Sequence, residues 1–465
     1  KSTTFRFVRS GYADGVAELA YAFDDGVELV ERITFPDAPA VAPERLQPLK
    51  AALRLLHLIA GVSYYKAGVP ERIAIDGDPI DAPTALLLEQ VYEHGLGEFA
   101  YQNKLDLRGR IRFPHAASSS GAATKAGLAR RSLVPIGGGK DSLVTVELLR
   151  AAHEPMTATW VGRSPLIAAC VERSQLPALN IDRQISPLLF EMNRNGAWNG
   201  HIPVTAINSA ILVCAAILHG YDAIAFSNER SASSANLVHD GFAVNHQWSK
   251  SIDFERAFRD HVATRVAANL DYFSALRPLS ELAVTRLFAP LAQYHDVFSS
   301  CNRNFRILGD KPAERWCGQC PKCHFVFLAL SPFLPKTRLV AIFGRNLMSA
   351  RARAERSRHA ADGAAHRPRR GQHDGRPRRA RRRRGDGLCQ DPVKRPAIGQ
   401  ARQGVDQRFG SRAVHFGAQL LDVCGELSGV VEAVVGLGQP FLPLVHDVPP
   451  MVVIAPTDSQ QIARP

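Results

Sequence analysis

Three consecutive glycines that run into Lys-Asp-Ser are the first feature of this sequence whose residue types suggest chemistry. This glycine loop consists of Gly137, Gly138, Gly139, Lys140, Asp141 and Ser142. Glycines let the backbone turn tightly and bring its N–H groups close to a ligand, and the helix expected to follow adds a positive dipole end. We therefore predict that the loop binds phosphate, or the pyrophosphate that leaves ATP. The alternative is a strand–helix turn that binds no ligand.

Two well-known phosphate-binding patterns do not fit the glycine loop. A Walker motif requires glycine where Val134 stands, and Ser or Thr where Asp141 follows the lysine. A dinucleotide-binding fingerprint has a different spacing. The loop is instead similar to the pyrophosphatase loop of the ATP pyrophosphatases (PP-loop enzymes), Ser-Gly-Gly-x-Asp-Ser. Gly137 replaces the first serine of that pattern, which removes one hydroxyl contact to phosphate.

Four cysteines form a second candidate site. Two residues separate Cys317 from Cys320 and Cys320 from Cys323, and Cys301 lies sixteen positions before Cys317. Four thiolates can close a tetrahedral Zn²⁺ site, which would be structural because it leaves no open position. The alternatives are an iron–sulfur cluster and unliganded thiols. A ferredoxin-type run would need a cysteine where Phe327 stands, so we predict zinc.

Apolar periodicity predicts the elements that position these residues. A β-meander and two helices come first, and from Leu133 onward short strands alternate with helices. Such alternation favours an α/β fold with an open parallel sheet, whose ligands bind at the carboxyl ends of the strands. We predict an N-terminal α+β domain at 1–114, a linker at 115–130, a PP-loop catalytic domain at 131–300, a cysteine-cluster segment at 301–348 and an atypical tail at 349–465.

The charge of the chain is concentrated in that tail. The net charge is +13, yet residues 1–348 carry 37 basic and 33 acidic groups, whereas residues 349–465 carry 20 basic and 11 acidic groups. We therefore expect no nucleic-acid binding by residues 1–348. No apolar run has the length of a membrane span, and eight cysteines are too few for a disulfide scaffold. These features predict a cytoplasmic protein.

The tail itself has an unusual composition. It contains 19 arginines and one lysine, in a low-complexity Arg/Ala/Gly/Pro setting. One interpretation is a disordered basic arm that binds nucleic acid. Our preferred hypothesis is an out-of-frame translation of a GC-rich gene, because arginine almost without lysine follows from codon composition rather than from selected charge.

Several longer runs resemble one family, the UDP-N-acetylmuramoyl-L-alanyl-L-glutamate epimerases (MurL). They include Gly-Ala-Trp-Asn-Gly-His at 196–201, Phe-Ser-Asn-Glu-Arg-Ser at 226–231, Asn-His-Gln-Trp-Ser-Lys at 245–250, Arg-Pro-Leu-Ser-Glu-Leu at 277–282 and Trp-Cys-Gly-Gln-Cys-Pro-Lys-Cys-His at 316–324. The resemblance covers about residues 3–348. It implies ATP- and Mg²⁺-dependent inversion of the terminal L-Glu of UDP-MurNAc-L-Ala-L-Glu through an acyl-adenylate, with release of AMP and diphosphate, for peptidoglycan synthesis.

The motifs contain three candidates for proton transfer at Cα of the glutamate. His201, Glu229 and His246 titrate near neutrality or can be tuned to do so. Each has an alternative role as a hydrogen-bonded structural group or a ribose ligand. Lys250 is either a ligand of phosphate or carboxylate, or a solvated surface lysine.

Two other functions fit parts of this pattern. A PP-loop enzyme of nucleobase or tRNA modification, such as a deazaguanine synthase, also combines a PP-loop with a cysteine knuckle. A zinc- and nucleotide-binding scaffold would bind ATP without turning it over. The near-balanced charge of residues 1–348 argues against an RNA substrate.

Overall fold

A computed structural model describes residues 2–117, 121–305 and 311–349, so the predictions about the tail lie outside the described residues. Thirteen strands are present in these ranges. They are β1 (Thr4–Ala13), β2 (Val16–Phe23), β3 (Leu29–Thr34), β4 (Arg72–Ile75), β5 (Ile80–Asp81), β6 (His115–Ala116), β7 (Ala129–Pro135), β8 (Met156–Val161), β9 (Ala178–Gln184), β10 (Tyr221–Phe226), β11 (Leu237–His239), β12 (Phe242–Val244) and β13 (Asp271–Ser274).

Twelve α-helices accompany these strands in the described ranges. They are α1 (Pro43–Ala60), α2 (Val62–Gly68), α3 (Ala82–Gly95), α4 (Gly97–Asn103), α5 (Lys140–Ala151), α6 (Pro165–Ser174), α7 (Pro187–Arg194), α8 (Val204–His219), α9 (Ile252–His261), α10 (Glu281–Phe288), α11 (Pro321–Leu330) and α12 (Lys336–Phe343). None of them combines the length and apolarity that crossing a bilayer requires.

One mixed sheet of nine strands organises the described chain. Its order is β13-β10-β7-β8-β9-β3-β2-β1-β4. The five strands from β13 to β9 are mutually parallel, whereas β3, β2 and β1 form an antiparallel meander. The chain runs from β7 through β8 to β9 on one side and then returns to place β10 on the other side of β7. The strand order therefore reverses between β7 and β10, where α/β sheets bind their ligands.

The meander and the parallel strands meet at the antiparallel pair of β3 and β9. A buried ion pair crosses this junction, since Arg183 Nε donates to the carboxylate of Glu31 at 2.7 Å. Burial opposes the charge of the guanidinium, but the Glu31 carboxylate raises the pKa of Arg183 above its ordinary value. Arg183 also donates to Ser63 at 3.1 Å, so the pair fixes the meander, α2 and β9 together.

Helix α8 forms the centre of the apolar core. It is buried on nearly all sides from Ala206 to Leu218, as its composition of Ala, Ile, Leu, Val and Cys requires. Helix α1 packs against it and contributes Leu49, Leu53 and Leu56 to the same buried core. Gly220 then ends α8 in a left-handed conformation at φ +81° and lets the chain turn directly into β10.

The element pattern expected from the sequence is largely confirmed. The meander, the alternation of strands and helices after residue 129 and the α/β class all appear. The second of the two helices expected after the meander is divided into α3 and α4 at Leu96. Gly95 lets Pro203, which directly precedes α8, pack closely against this break, because a Cβ on residue 95 would lie 2.6 Å from Pro203. The sheet joins residues 1–114 to residues 131–300, and the division into domains remains a prediction.

We predict that Glu31→Ala destabilises the protein by about 3–5 kcal/mol, because it leaves the Arg183 charge buried without a partner. Urea unfolding measures the change in the free energy of unfolding. The matched control is Glu18→Ala, which removes a surface pair to Arg32 at 2.7 Å and should cost no more than about 1 kcal/mol. Equal effects of the two substitutions would contradict the role assigned to the junction.

Candidate functional site

A crevice opens at the carboxyl ends of β7 and β10, where the strand order reverses. Its volume is about 350 Å³. The glycine loop after β7 forms its floor, and the turn after β10 contributes Ser227 and Asn228. Thr205 and Asn208 of α8 line another side. The sequence predicted ligand binding at the carboxyl ends of the parallel strands, and the fold brings the ends of β7 and β10 together around one cavity.

The glycine loop is shaped for close approach by a ligand. Gly138 has φ +79°, which other residues rarely adopt, and its carbonyl accepts a hydrogen bond from the Ser299 N–H at 2.8 Å. A Cβ on Gly139 would lie 2.6 Å from the Ser300 hydroxyl, so only glycine fits there without rearrangement. At Gly137 a Cβ would meet no atom within 4 Å. The loop therefore presents open backbone to the crevice at that residue.

Lys140 is buried at the first turn of α5 and has two carboxylate partners. It contacts Asp141 closely, and its Nζ lies 2.7 Å from a carboxylate oxygen of Glu281. Burial opposes its charge, but Asp141 and Glu281 raise the pKa of Lys140 above its ordinary value, so it remains an ammonium at neutral pH. Glu281 begins α10, whose N-cap is Ser280. Two helix N-termini therefore converge on this ammonium, and together they favour anions.

Glu229 and Lys250 extend this charged cluster from two other loops. Glu229 is buried and accepts a hydrogen bond from the Ala232 N–H at 2.9 Å. Burial raises the pKa of Glu229, and the neighbouring carboxylates of Glu281 and Asp141 add to the shift. Burial lowers the pKa of Lys250, which lines the crevice. The cluster thus contains one carboxyl group, that of Glu229, and two ammonium groups, those of Lys140 and Lys250, whose pKa values differ from their ordinary values.

Arg277 fixes Glu229 and Lys250 relative to each other. Its guanidinium donates to the backbone carbonyl of Glu229 at 3.0 Å and to that of Lys250 at 2.9 Å. The same group pairs with Glu255 at 2.6 Å, and both side chains are almost fully buried. One rigid fork of donors therefore determines how the two loops meet.

The two candidate histidines lie next to each other, and Glu229 has a different set of neighbours. The ring centroids of His201 and His246 are 6.1 Å apart at an interplanar angle of 78°. Asn236 accepts hydrogen bonds from the His246 N–H at 3.0 Å and holds its ring Nδ1. Burial lowers the pKa of His201, Glu98 opposes that shift, and the Lys250 charge adds to it. Lys250 therefore lies within electrostatic reach of both the histidine pair and Glu229.

The four cysteines predicted to bind metal converge in the structure. The Sγ atoms of Cys301, Cys317, Cys320 and Cys323 all lie within 4.8 Å of one another. Those of Cys320 and Cys323 are 3.4 Å apart, and those of Cys317 and Cys323 are 3.8 Å apart. A tetrahedron of Zn–S bonds of about 2.3 Å has edges of about 3.8 Å, so the donor set and its spacing suit zinc.

The cysteine cluster is physically connected to the glycine loop. Ser299, whose N–H holds the Gly138 carbonyl, comes two residues before Cys301, and the Cys301 N–H donates to its hydroxyl at 3.2 Å. Ser300 packs against Gly139. On the other side of the cluster, Lys322 lines the crevice. A metal bound by the cysteines would therefore hold one wall of the crevice.

Two family models match this chain. The family model described as the MurL N-terminal domain matches residues 1–275, and the one described as the MurL C-terminal domain matches residues 297–370. The chain belongs to the MurL family. The second match reaches into the arginine-rich tail, beyond the part of the chain for which the sequence indicated a resemblance.

Three bacterial relatives share the printed name UDP-N-acetyl-alpha-D-muramoyl-L-alanyl-L-glutamate epimerase. The protein of Xanthomonas oryzae pv. oryzae is 61% identical over 349 residues, which cover 74% of this chain and 77% of the relative. The protein of Salinispora tropica is 42% identical, with 74% and 76% covered. The protein of Micromonospora sp. is 43% identical, with 74% and 78% covered.

Within this MurL chain, sequence reasoning assigned no role to several groups that the fold places at the site. Glu281, Arg277 and Lys322 all lie inside the motifs quoted above, yet only the structure shows their contacts with Lys140, Glu229 and the crevice. The one local signal was Ser280 before Glu281, an N-cap followed by an acidic residue at a helix start. Ser227 is a further example, because its buried hydroxyl at the crevice has no hydrogen-bond partner among the described residues.

We predict that Cys320→Ser removes about one zinc ion per chain and lowers both the melting temperature and the affinity for ATP. The affinity falls because the cluster supports Ser299 and Lys322 at the crevice. Metal analysis, thermal unfolding and ATP titration measure the three quantities. Cys214→Ala, a cysteine buried in α8, is the matched control and should keep its metal. Full zinc content in Cys320→Ser would contradict the assigned ligand set.

Proposed function

We propose that the chain is an ATP-dependent epimerase that inverts the terminal L-Glu of UDP-MurNAc-L-Ala-L-Glu to D-Glu in the cytoplasm, for peptidoglycan synthesis. One observation carries this proposal. In a chain whose relatives are named as epimerases of this compound, the glycine loop, Lys250 and Lys322 line a single crevice. The reaction would release AMP and diphosphate, with ATP as co-substrate and a PP-loop as the nucleotide-binding element.

The substrate needs activation by ATP because its Cα proton is too weakly acidic to be removed directly. The Cα–H of a glutamate beside its ionised carboxylate is a very weak acid, because its removal would place a second negative charge next to the first. Transfer of AMP to the carboxylate forms an acyl-adenylate and removes the first charge. The acyl carbonyl can then delocalise the charge that remains when Cα loses its proton. Hydrolysis of the adenylate after reprotonation on the opposite face gives D-Glu.

The residues of the crevice suit the leaving pyrophosphate. Lys140, which lies between the lining residues Gly139 and Asp141, is a buried ammonium at two helix N-termini, and Lys250 and Lys322 add positive charge at the walls. The open backbone at Gly137 and the unpaired hydroxyl of Ser227 suit phosphate or ribose oxygens. Asp141 lines the crevice with a part-exposed carboxylate, a ligand of the kind Mg²⁺ prefers. When bound there, Mg²⁺ would neutralise charge on the transferring phosphates.

Proton transfer at Cα is assigned to the histidine pair. Burial favours the neutral form of His201, which can accept a proton near pH 7. His246 lies beside it and is held through its other ring nitrogen by Asn236. Glu229 instead faces the cluster of Lys140, Asp141 and Glu281, so we assign it to the phosphate end of the site. This division refines the three candidates that the sequence offered as a single group.

The direct test of the proposal is incubation with UDP-MurNAc-L-Ala-L-Glu, ATP and Mg²⁺, followed by chiral analysis of the glutamate. We expect D-Glu to appear only when ATP is present, together with AMP and diphosphate. Diphosphate release stimulated by tRNA or a deazapurine acid, and not by the dipeptide substrate, would favour the alternative of nucleobase or tRNA modification.

Lys140→Met is predicted to lower diphosphate release about 100- to 1000-fold while the fold is retained, because a preorganised ammonium at the leaving group is lost. Methionine keeps the apolar stem that is buried in α5. Diphosphate release and circular dichroism are the two measurements. The control is Lys125→Ala, an exposed lysine away from the crevice, which should leave the rate unchanged. A rate in Lys140→Met equal to that of the control would remove the glycine loop from the mechanism.

Turnover in D₂O is predicted to place deuterium at Cα of the D-Glu product, because the proton added on the new face comes from a group that exchanges with water. His201→Gln should abolish this incorporation while single-turnover diphosphate release is retained. Glu229→Gln should reduce diphosphate release itself. Mass spectrometry and NMR of the product measure the deuterium. D-Glu that keeps its original Cα hydrogen, or incorporation without ATP, would exclude deprotonation of an adenylate.

A further inference from the structure

A second and larger cavity lies outside the nucleotide crevice. It is a groove of about 1090 Å³ between α4, with the turn that follows it, and the hairpin of β11 and β12. Gly97, Tyr101 and Lys104 line one wall, and His239 and Phe242 line the other. Neither the proposed adenylation nor the proposed proton transfer involves a residue that lines this groove. Its size exceeds that of the crevice, and ligand sites of about 300–1000 Å³ are typical for whole small molecules.

The hairpin connects this groove to the histidine pair. Val244, at the end of β12, lines the groove, and His246 follows it by two residues, a span of about 7 Å in extended chain. Asn236, just before β11, holds the His246 ring. On the opposite wall, α4 carries Glu98, which is close enough to His201 to act on its charge. The groove therefore lies next to the proposed proton-transfer residues His201 and His246.

Lys104 has an unusual backbone for a lysine at this wall. It ends α4 in the left-handed conformation, with φ +57° and ψ +39°. Glycine or asparagine is the ordinary residue there, because a side chain with a Cβ is strained in that region. Strain that a chain retains at one position is a reason to look for a use of the side chain. Here the side chain is an ammonium at the wall of the groove.

The carboxylates that line the groove each have a partner other than Lys104, which leaves that ammonium available. Arg108, the other basic chain of the wall, donates to the Asp106 carboxylate at 2.8 Å and to the Asp240 carbonyl at 3.1 Å. Among the described residues, Lys104 has no ion pair. Tyr101 is 44% exposed and meets His239 edge to face, with ring centroids 5.0 Å apart. The groove thus offers one unpaired cation and an accessible aromatic ring.

We propose that this groove binds the nucleotide-sugar end of the substrate, with the diphosphate at Lys104 and the uracil against Tyr101. The inference rests on the proposed function, since it concerns the substrate of that reaction. The glutamate end would then extend past His246 to the crevice, where the adenylate forms. A crevice of about 350 Å³ is filled by one nucleotide, so the second nucleotide requires a separate cavity.

Lys104→Gly tests the proposal, because it removes the ammonium and relieves the strained backbone in one change. The probe is UDP, titrated calorimetrically without ATP, and thermal unfolding is measured in parallel. We expect the dissociation constant of UDP to rise about tenfold in Lys104→Gly and in Tyr101→Ala. The melting temperature of Lys104→Gly should stay the same or increase. Lys140→Met should bind UDP normally, because residue 140 belongs to the glycine loop beside the nucleotide crevice and does not line the groove.

The matched control is Gln175→Gly, which relieves a left-handed residue at the end of α6, where φ is +56°. It should change stability in the same direction without affecting UDP. Unchanged UDP binding in Lys104→Gly overturns the proposal, whichever way the melting temperature moves. So does UDP binding that is lost in Lys140→Met and kept in Lys104→Gly, since UDP would then occupy the crevice.

Turnover separates failure of this inference from failure of the proposed function. If D-Glu forms and Lys104→Gly has an unchanged KM for UDP-MurNAc-L-Ala-L-Glu, the groove assignment is wrong and the epimerase function stands. If UDP binding depends on Lys104 but no D-Glu forms under any condition, the groove assignment stands and the reaction is wrong. We expect KM to rise about tenfold in Lys104→Gly while kcat is largely retained, because the contact is made equally in the ground and transition states.

Discussion

The arrangement of the candidate site depends on one buried guanidinium, that of Arg277. It binds the backbone carbonyls of Glu229 and Lys250, which belong to different loops, and it is neutralised by Glu255. Loops at strand ends have few internal constraints of their own, so their relative position has to come from a shared partner. A lysine could not substitute, because a single ammonium lacks the planar fork that reaches two carbonyls and a carboxylate together. Removal of Arg277 would also leave the Glu255 charge buried without compensation.

Beside this support, two carboxylates compensate the charge of the buried Lys140. Lys140 is held between Asp141 and Glu281, at the N-termini of α5 and α10. Without the two carboxylates, a buried ammonium beside two positive dipole ends would be strongly disfavoured. In the proposed reaction, a phosphate would be an alternative negative partner for Lys140. Binding of phosphate would replace one set of negative partners of Lys140 with another, so the lysine need not be desolvated during the reaction.

The sequence predicted those features that arise from local patterns. The glycine loop and the boundaries of helices and strands follow from residues a few positions apart. The spacing of the cysteines alone indicated a cluster, and the Sγ distances support it. The pairing of β3 with β9 joins segments about 150 residues apart, and no local pattern encodes it. The contacts of Lys140 with Glu281 and of Arg277 with Glu229 are of the same kind. A residue type and its neighbours could suggest a role for each, but only the fold selects the partner.

The same distinction explains why His201, Glu229 and His246 could not be separated by sequence. All three are titratable residues in motifs, yet the fold sends Glu229 to the Lys140 cluster and places the histidines beside each other. Lys250 lies within electrostatic reach of both groups. In the proposed reaction, negative charge develops first on the leaving pyrophosphate and then on the acyl oxygen next to Cα. A cation within electrostatic reach of both groups can stabilise both charges in turn, and Arg277 fixes the backbone from which that cation extends. Activation and proton transfer would then be linked through Lys250, without any need for the histidines and Glu229 to touch.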